Sequence, residues 1–422
     1  MNVKPHPKIA IIDDCSLYSF SLINEGLNAL KTQLVFYGPR KPLAKFYPNC
    51  NIVQRQKIWT SELFPFQIFK QVLSDKLDIV HIQHEVNTFG PFYTNLLFPI
   101  LLTMLKLKGI RVVVTLHSVI EIRETRSVLS PIQSGLIRRL VLPFFFRVTG
   151  WLVSTLVVHD EVFRKQLTDS FRIARDKIVV IPHGVSSQKS SNSEAALSTY
   201  SNKFRGKHVV LFFGFLSPRK GVEFLLEAFK KVIAKHPDCV LVIAGEAPHY
   251  YKEYKQRLET LTLFLSLGEK VVFTGFIPDI VANLLFSISD IVVFPYTHSP
   301  SASGPLSTAL QFGKAIIATK TRYFANILEG EKDSLLVSPE NSEELATAII
   351  RLLDDTALRS YISGNIKRKA TQNSWNEVGR RTMALYNSLM SSVSNECAHN
   401  SNYRNSLILS SIRRNLHGAE AI

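Results

Sequence analysis

The sequence predicts an α/β protein with two doubly wound, parallel-sheet domains of the Rossmann-like kind, which face each other across a cleft. Short β-branched runs alternate with longer amphipathic stretches along most of the chain. The runs are apolar throughout, which is typical of parallel strands that helices cover on both faces. A polar segment near the middle interrupts this pattern, and the same pattern then begins again. These observations together indicate two similar domains.

The first domain is expected to cover residues 1–185. Its six strand candidates are KIAIID, QLVFYG, IVHIQHE, RVVVTLH, TLVVHD and IVVIPHG. Apolar residues recur with helical spacing between them, at 18–32, 65–76, 91–108 and 131–150.

A linker is expected at 186–207, which is rich in Ser, Asn and Lys and has no apolar period. The second domain, 208–372, has six more strand candidates: VVLFFGFL, CVLVIAGE, VVFTGFI, IVVFPYT, AIIAT and SLLVSP. Helices fit between them at 221–236, 250–267, 279–288, 305–313, 341–354 and 356–372. A closing helix follows within 373–390, and we expect disorder in the Ser/Asn-rich tail, 391–422.

The composition is that of a globular protein, with 46% apolar and 20% charged residues among 422. The four cysteines lie far apart, which excludes a zinc motif or a disulfide framework and suits a reducing cytosol. No targeting segment is visible before KIAIID. We therefore expect a cytoplasmic protein.

The net charge of +16 has two interpretations. One is that the basic residues form a solvated surface and a basic tail. The other is that the positive charge attracts an anionic partner such as a membrane or a nucleotide. Nucleic acid is not expected, because no basic motif with interleaved aromatic residues is present.

Two apolar segments, 86–105 and 140–158, approach the length of a membrane span but contain Pro, Asn or Arg. They are expected to be core helices. The alternative is a surface that lies on lipid, with 144–146 and Trp151 inserted beside Arg138, Arg139 and Arg147.

The segment 213–229, FGFLSPRKGVEFLLEAF, is a candidate phosphate site. A strand ends at Gly214, and Arg219 and Lys220 stand just before a helix. Two cations beside a helix amino terminus attract an anion. The alternative is an ordinary basic loop in solvent.

The turn within 295–319 is a second candidate anion site. Pro305 suits the first helical position, with Gly304 as the N-cap. The expected free donors are the N–H groups of Ser303, Gly304, Leu306 and Ser307.

Polar side chains also end strands of the first domain. His84 and Glu85 end one strand, and His117 ends another; His159 and His183 end later strands in the same way. Each histidine has a structural interpretation as well as a catalytic one. No two have metal-ligand spacing on one helix, so no metal site is predicted.

In this order, the segments from DIVHIQHE to SLLVSPENSEELATAI resemble the nucleotide-sugar-dependent, retaining glycosyltransferases of the GT-B fold, specifically family 4 (group 1). The resemblance covers roughly 75–390. It implies that Lys220 holds the donor diphosphate and that His117 lies beside the donor sugar. Phe215 stands where the family has an arginine, and Arg219 is the candidate to replace part of that contact. The family's first glycine-rich loop is replaced by IIDDCSLYS.

Most members of the family carry two glutamates around the second turn. Aligned on Gly313, these positions are Pro300 and Thr308. A subset of the family without this pair matches better, through Pro295, Tyr296, Ser303, Gly304 and Phe312 to Gly313.

The resemblance implies transfer of a hexose from a nucleotide diphosphate sugar to a glycan or lipid-linked acceptor, with retention of configuration and without a metal or other cofactor. Donor contacts are expected from Gly214, Arg219, Lys220, Ser303, Gly304, Leu306 and Ser307, and acceptor-side contacts from Ser16, His84 and Glu85. Contact with the inner face of an anionic membrane is also expected. The alternatives are a nucleotide-sugar 2-epimerase and a non-catalytic nucleotide-sugar-binding protein.

Overall fold

The chain forms two parallel β-sheets, each with helices on its faces. The computed structural model describes residues 7–13, 17–27, 33–38, 52–56, 62–85, 88–90, 92–119, 141–186, 202–298 and 303–391. All the strand pairs within the two sheets are parallel. The predicted pair of doubly wound α/β units is confirmed.

The first sheet has seven strands in the order β3-β2-β1-β4-β5-β6-β7. They are β1 (Lys8–Ile12), β2 (Gln33–Gly38), β3 (Ile52–Gln56), β4 (Ile79–His84), β5 (Arg111–Leu116), β6 (Thr155–Val158) and β7 (Ile178–Val180). The sequence predicted every one except β3. This strand lies at the sheet edge and its sequence, IVQRQ, lacks the continuous apolar run that marked the others.

The helices described in the first half are α1 (Leu17–Ser21), α2 (Phe64–Asp75), α3 (Phe98–Leu107), α4 (Leu142–Leu152) and α5 (Glu161–Asp169). A π-helical turn, Leu22–Leu27, continues α1, and a 3₁₀ segment, Phe92–Leu97, leads into α3. The predicted helix 131–150 corresponds to α4, and its first ten positions lie outside the described residues. Helix α5 is additional to the prediction.

Helix α4 corrects the alternative interpretation in which the whole aromatic run 144–146 lies on lipid. Phe145 and Phe146 are buried in the core, whereas Phe144 and Trp151 are 63% and 70% exposed. Adjacent residues of a helix point in different directions, so one run cannot face lipid as a whole. Arg138 and Arg139 lie outside the described residues.

The second sheet has six strands in the order β10-β9-β8-β11-β12-β13, as many as predicted. They are β8 (His208–Phe213), β9 (Cys239–Ala244), β10 (Val271–Gly275), β11 (Ile291–Phe294), β12 (Ala315–Thr319) and β13 (Leu335–Val337).

The helices around this sheet lie within a few residues of their predicted bounds. They are α6 (Val222–Lys235), α7 (Lys252–Phe264), α8 (Asp279–Ile288), α9 (Gly304–Phe312), α10 (Phe324–Ile327), α11 (Ser342–Asp354) and α12 (Thr356–Gln372). Only the short α10 is additional to the prediction.

A last helix, α13, covers 375–391 and packs against the first sheet rather than the second. Trp375 and Tyr386 share a buried apolar cluster with Ile9 and Ile11 of β1. The chain therefore returns to its first half after it completes its second. The predicted domain boundaries stay predictions, and residues 187–201 and 392–422 lie outside the described part of the chain.

Candidate functional site

A cavity of about 400 Å³ lies at the carboxyl ends of the second sheet. This edge of an open parallel sheet is where ligands bind. The lining residues are Glu85, Phe213, Gly214, Phe215, Arg219, Lys220, Ala244, Gly245, Glu246, Phe276, Ile277, Tyr296, Ser303, Gly304 and Pro305. The structure thus brings together Gly214, Arg219, Lys220, Ser303, Gly304 and Glu85 from the residues that the sequence singled out.

The turn after β8 is held close to its neighbours by glycine and by backbone hydrogen bonds. The Gly214 N–H donates to the carbonyl oxygen of Ala244 at 2.9 Å. Gly245 has a φ of +151°, and a Cβ on it would overlap the carbonyl oxygen of Gly214. Only glycine allows this approach of two backbones, so at Gly214 and Gly245 the cavity wall is backbone rather than side chain.

The cationic segment before α6 is anchored to the residues that follow β11. Gly221 adopts a φ of +61°, and a Cβ there would overlap the carbonyl oxygen of Pro295. The Thr297 N–H donates to the carbonyl oxygen of Arg219 at 3.0 Å. These contacts fix the backbone of Arg219 and Lys220, so both side chains begin from a rigid position at the cavity.

Lys220 is buried, and its Nζ atom lies 3.6 Å from the centroid of the Tyr296 ring. Burial lowers the pKa of Lys220 well below its usual range, and the nearby charge of Arg219 lowers it further. Among the described residues, the structure shows no carboxylate paired with this ammonium. A buried cation held on an aromatic face is arranged to receive an anion.

Helix α9 begins one residue earlier than the sequence predicted. Ser303, not Gly304, is the N-cap, and its Oγ accepts from the Leu306 N–H at 3.3 Å. Gly304 is the first helical residue and Pro305 the second. The expectation was wrong because the serine hydroxyl can accept a hydrogen bond from a helical N–H group. Glycine has no side chain that could do so.

This cap also changes the set of free donors. The Ser307 N–H donates to the carbonyl oxygen of Ser303 at 3.2 Å, and the Leu306 N–H is occupied by the cap itself. Neither Leu306 nor Ser307 lines the cavity. Ser303 and Gly304 remain as the helix-start residues that line the cavity.

Ser307 contacts the first half of the chain instead. Its Oγ lies 2.9 Å from Nδ1 of His183, and that nitrogen also lies 3.0 Å from the carbonyl oxygen of Gly184. A carbonyl oxygen only accepts, so His183 Nδ1 carries the proton. The Ser307 hydroxyl oxygen is then a second acceptor for the same N–H group. The hydroxyl therefore joins α9 to the segment after β7.

His117 is buried, and both of its ring nitrogens face protein partners. Nδ1 of His159 donates to the carbonyl oxygen of Ile181 at 3.1 Å, so Nε2 of His159 accepts from His117 Nδ1 at 3.0 Å. His117 Nε2 lies 2.9 Å from Oε1 of Gln83. With the proton on Nδ1 this nitrogen only accepts, so the Gln83 amide is assigned with its NH2 group towards the ring. Burial is the main cause that lowers the pKa of His117, and the nearby His159 lowers it further. Both favour the neutral ring. His117 is not among the residues that line the cavity, and its place beside a donor sugar stays a prediction.

His84 and Glu85 are neighbours in sequence, but the structure separates them. His84 is buried against Phe98 and Phe145, and its Nε2 lies 3.1 Å from Asn95 Oδ1. Burial lowers the pKa of His84 to about 4, so the ring is neutral and structural.

Glu85 instead opens into the cavity. Burial and Asp13 raise the pKa of Glu85, while the charge of Arg219 lowers it. A carboxylate from the first sheet therefore faces the cations of the second. Ser16, predicted on the same side, lies outside the described residues, as do Asp14, Cys15 and Pro300.

Sequence reasoning missed part of the cavity wall. Phe276 and Ile277 follow β10, and Glu246 follows β9, where it pairs with Lys255 at 2.8 Å. Both segments end strands at the same sheet edge as Gly214, and this position could have identified them as candidate site residues.

Within the described ranges, no group of three His, Cys, Asp or Glu residues is arranged to hold a metal ion.

Two family profiles match the chain and divide it between them. Glycosyltransferase Family 4 matches residues 25–189, and Glycosyl transferases group 1 matches residues 196–369. The first profile covers most of the predicted first domain, and the second covers the cavity-forming half.

Curated relatives are distant. An uncharacterized glycosyltransferase of Methanocaldococcus jannaschii is 26% identical over 55% of this chain and 59% of its own length. A phosphatidyl-myo-inositol mannosyltransferase of Mycolicibacterium smegmatis is 24% identical over 76% of this chain and 73% of its own. The chain spans little more than half the length of the first curated relatives it matches.

Solved structures share the fold at low identity. A glycosyltransferase of Rickettsia africae superposes with a TM-score of 0.71 at 18% identity, over 92% of this chain and 99% of its own. Anabaena HepE, solved in complex with UDP, superposes with a TM-score of 0.69 at 18% identity, over 90% of this chain and 100% of its own. These likenesses confirm the predicted GT-B architecture. With both halves matched by the two profiles, the chain belongs to the group 1 and family 4 glycosyltransferases.

Proposed function

We propose that the protein transfers a hexose from a nucleotide diphosphate sugar to a glycan or lipid-linked acceptor, with retention of configuration. The observation that carries this proposal is the buried ammonium of Lys220, which lines the cavity beside Arg219 and rests on Tyr296. A diphosphate is the anion that suits it, because two adjacent cations and the start of α9 face the same space.

The reaction develops negative charge on the departing phosphate. As the bond between the anomeric carbon and the phosphate oxygen breaks, Lys220 and Arg219 stabilise the charge on the diphosphate. The acceptor hydroxyl oxygen bonds to the same face of that carbon, and its proton passes to the departing phosphate oxygen. These cations take the charge-neutralising role without an added cofactor.

Glu85 is assigned to the acceptor side. It reaches the cavity from the first sheet, whereas the residues assigned to the donor come from the second. A carboxylate accepts hydrogen bonds from sugar hydroxyls but repels phosphate, so it favours the acceptor end of the cavity. This assignment gives the acceptor end of the cavity a carboxylate although Thr308 occupies a position where most of the family has a glutamate.

We place the activity in the cytoplasm, at the inner face of a membrane where lipid-linked acceptors of polysaccharide biosynthesis are available. The net charge of +16 supports attraction to anionic lipid. The relative from Mycolicibacterium smegmatis is named for a lipid acceptor, phosphatidyl-myo-inositol.

The test is a panel of nucleotide sugars assayed for nucleotide release with and without glycan and lipid-linked acceptors. UDP-glucose is the first donor to try, because Anabaena HepE was solved with it. Lys220→Ala should lower turnover about 10²–10³-fold, the cost of one lost transition-state contact of roughly 3–4 kcal/mol. Lys231→Ala, at an exposed lysine on α6, is the matched control and should leave turnover unchanged.

Two outcomes separate the alternatives. A new nucleotide sugar formed from donor alone, without acceptor, would favour the 2-epimerase. A donor-dependent rise in melting temperature without any nucleotide release would favour the non-catalytic nucleotide-sugar-binding protein. Normal turnover in Lys220→Ala would contradict the role given to that lysine.

A further inference from the structure

Three neighbouring helices on the first sheet are apolar on both their inner and outer sides. Helix α2 packs against α3, and α3 packs against α4. Their inner sides are buried in the main core through residues such as Ile68, Leu101 and Phe146. A helix that covers a sheet in water is expected to be polar on its outer side. These three carry exposed apolar residues on that side as well.

The outer sides carry stripes of exposed apolar residues at spacings of three, four or seven. We call this surface the three-helix face, and its exposed apolar residues are Leu63, Phe66, Leu73, Tyr93, Leu96, Ile100, Leu107, Phe144 and Trp151. They are nine of the fifteen large apolar side chains that are exposed in the described part of the chain. Such concentration marks a surface that meets another apolar phase.

Cations lie within the same stripes. Lys70 falls between Phe66 and Leu73, and Arg147 falls between Phe144 and Trp151, all exposed. Lys106 joins α3 to α4, with its Nζ 4.1 Å from the Trp151 ring centroid. An amphipathic surface with aromatic rings and interspersed cations is typical of proteins that lie in a membrane interface.

The charge argues against a second copy of this chain as the occupant. Two such faces in contact would bring their lysines and arginines together, and like charges across an interface repel. An anionic bilayer complements both the rings and the cations. None of the helices in the described residues is long and apolar enough to cross a bilayer.

We propose that the three-helix face lies on an anionic lipid bilayer. The side chains of Phe66, Ile100, Phe144 and Trp151 enter the boundary between headgroups and acyl chains, and Lys70 and Arg147 meet the lipid phosphates. This contact needs neither donor nor acceptor, so it can be tested apart from glycosyl transfer.

The test is sedimentation of the full chain with sucrose-loaded vesicles of phosphatidylcholine, with and without 30% phosphatidylglycerol, at low salt. The wild-type chain should pellet with the anionic vesicles, and Phe144→Ser combined with Trp151→Ser should weaken binding at least tenfold. Lys70→Glu should weaken it severalfold. The matched controls are Leu263→Ser combined with Phe264→Ser, equally exposed on α7, and Lys230→Glu, exposed on α6; both should bind as the wild type does.

Three results would overturn this assignment. The first is no pelleting of the wild-type chain with anionic vesicles. The second is equal pelleting of the Phe144/Trp151 double variant, whose folding is checked by its unfolding transition. The third is a wild-type dimer in solution that the same double variant converts to a monomer, because the face would then be an interface between copies.

Discussion

The Lys220 ammonium lies 3.6 Å from the centroid of the Tyr296 ring, and both residues line the cavity. A carboxylate in the place of the ring would neutralise the lysine and compete with an incoming diphosphate. The ring holds the cation through its negative face and leaves the hydrogen-bond donors of the ammonium available. The pair thus places the Lys220 amine where an anionic ligand can bind it and favour its charged form.

Replacing Tyr296 with Leu should weaken donor binding while the fold is retained. The change removes the cation–π contact, worth about 1–2 kcal/mol for a desolvated pair, so the Kd should rise about 5- to 30-fold. Titration calorimetry with the preferred nucleotide sugar measures this. Tyr296→Phe keeps the ring and should bind almost as the wild type does. An equal loss in the Phe and Leu variants would show that the ring face is not the cause.

Donor affinity should fall as the pH rises. Burial and Arg219 lower the pKa of Lys220 in the empty site, whereas a bound diphosphate favours the charged form and raises it. Binding is then coupled to proton uptake at any pH above the pKa of the empty site. Raising the pH removes the charged lysine and weakens binding.

Calorimetry in two buffers of different ionisation enthalpy measures that uptake directly. A nucleotide sugar is the right ligand, because its diester phosphates do not titrate in this range. Lys220→Arg stays charged and should bind without proton uptake. Uptake that persists in this variant would assign the proton to another group.

The sequence predicted the site residues that lie together in one segment. It did not predict the contacts between residues of different segments. Arg219, Lys220 and Gly214 were found because their types and spacing make a phosphate turn within one segment. Tyr296 was noted only for its match to a subset of the family, because its contact with Lys220 depends on how β11 lies beside β8. The same limit applies to His117, whose partners come from other strands. Strand β3 was not predicted, because its position at the sheet edge permits polar residues and its sequence has no continuous apolar run.

Gly221→Ala should destabilise the second half of the chain and weaken donor binding together. Alanine at a φ of +61° costs about 1–2 kcal/mol, and its Cβ would also overlap the Pro295 carbonyl oxygen. We expect a loss above 2 kcal/mol in urea unfolding, since strain and overlap both act.

Gly206→Ala is the matched control for that substitution. Gly206 has a similar φ of +71°, but a Cβ there meets nothing within 4 Å. It should show the strain alone, and donor binding should be unchanged. Equal losses at the two glycines would mean that the close approach to Pro295 contributes nothing.

The buried histidines of the first half should make the fold sensitive to acid. Burial lowers the pKa of His81 to about 3, of His84 to about 4 and of His159 to about 3. An unfolded histidine has a pKa near 6.5, so below this pH the unfolded chain binds more protons than the folded one. Each histidine then lowers the unfolding free energy by up to about 1.4 kcal/mol per pH unit as the pH falls from 6.5 towards 4.

Urea unfolding at pH 7.5, 6.5, 5.8 and 5.0 measures this slope above the range in which carboxylates dominate. His84→Gln keeps a donor for Asn95 but cannot titrate, so it should reduce the slope by up to about 1.4 kcal/mol per pH unit below pH 6.5. His249→Gln, at an exposed histidine, should leave the slope unchanged. An unfolding free energy that stays constant from pH 6.5 to 5.0 would mean that these rings are protonated in the folded chain. The neutral hydrogen-bond chain through His117 and His159 would then be wrong as well, because an imidazolium at His159 has no acceptor nitrogen for the Nδ1–H of His117.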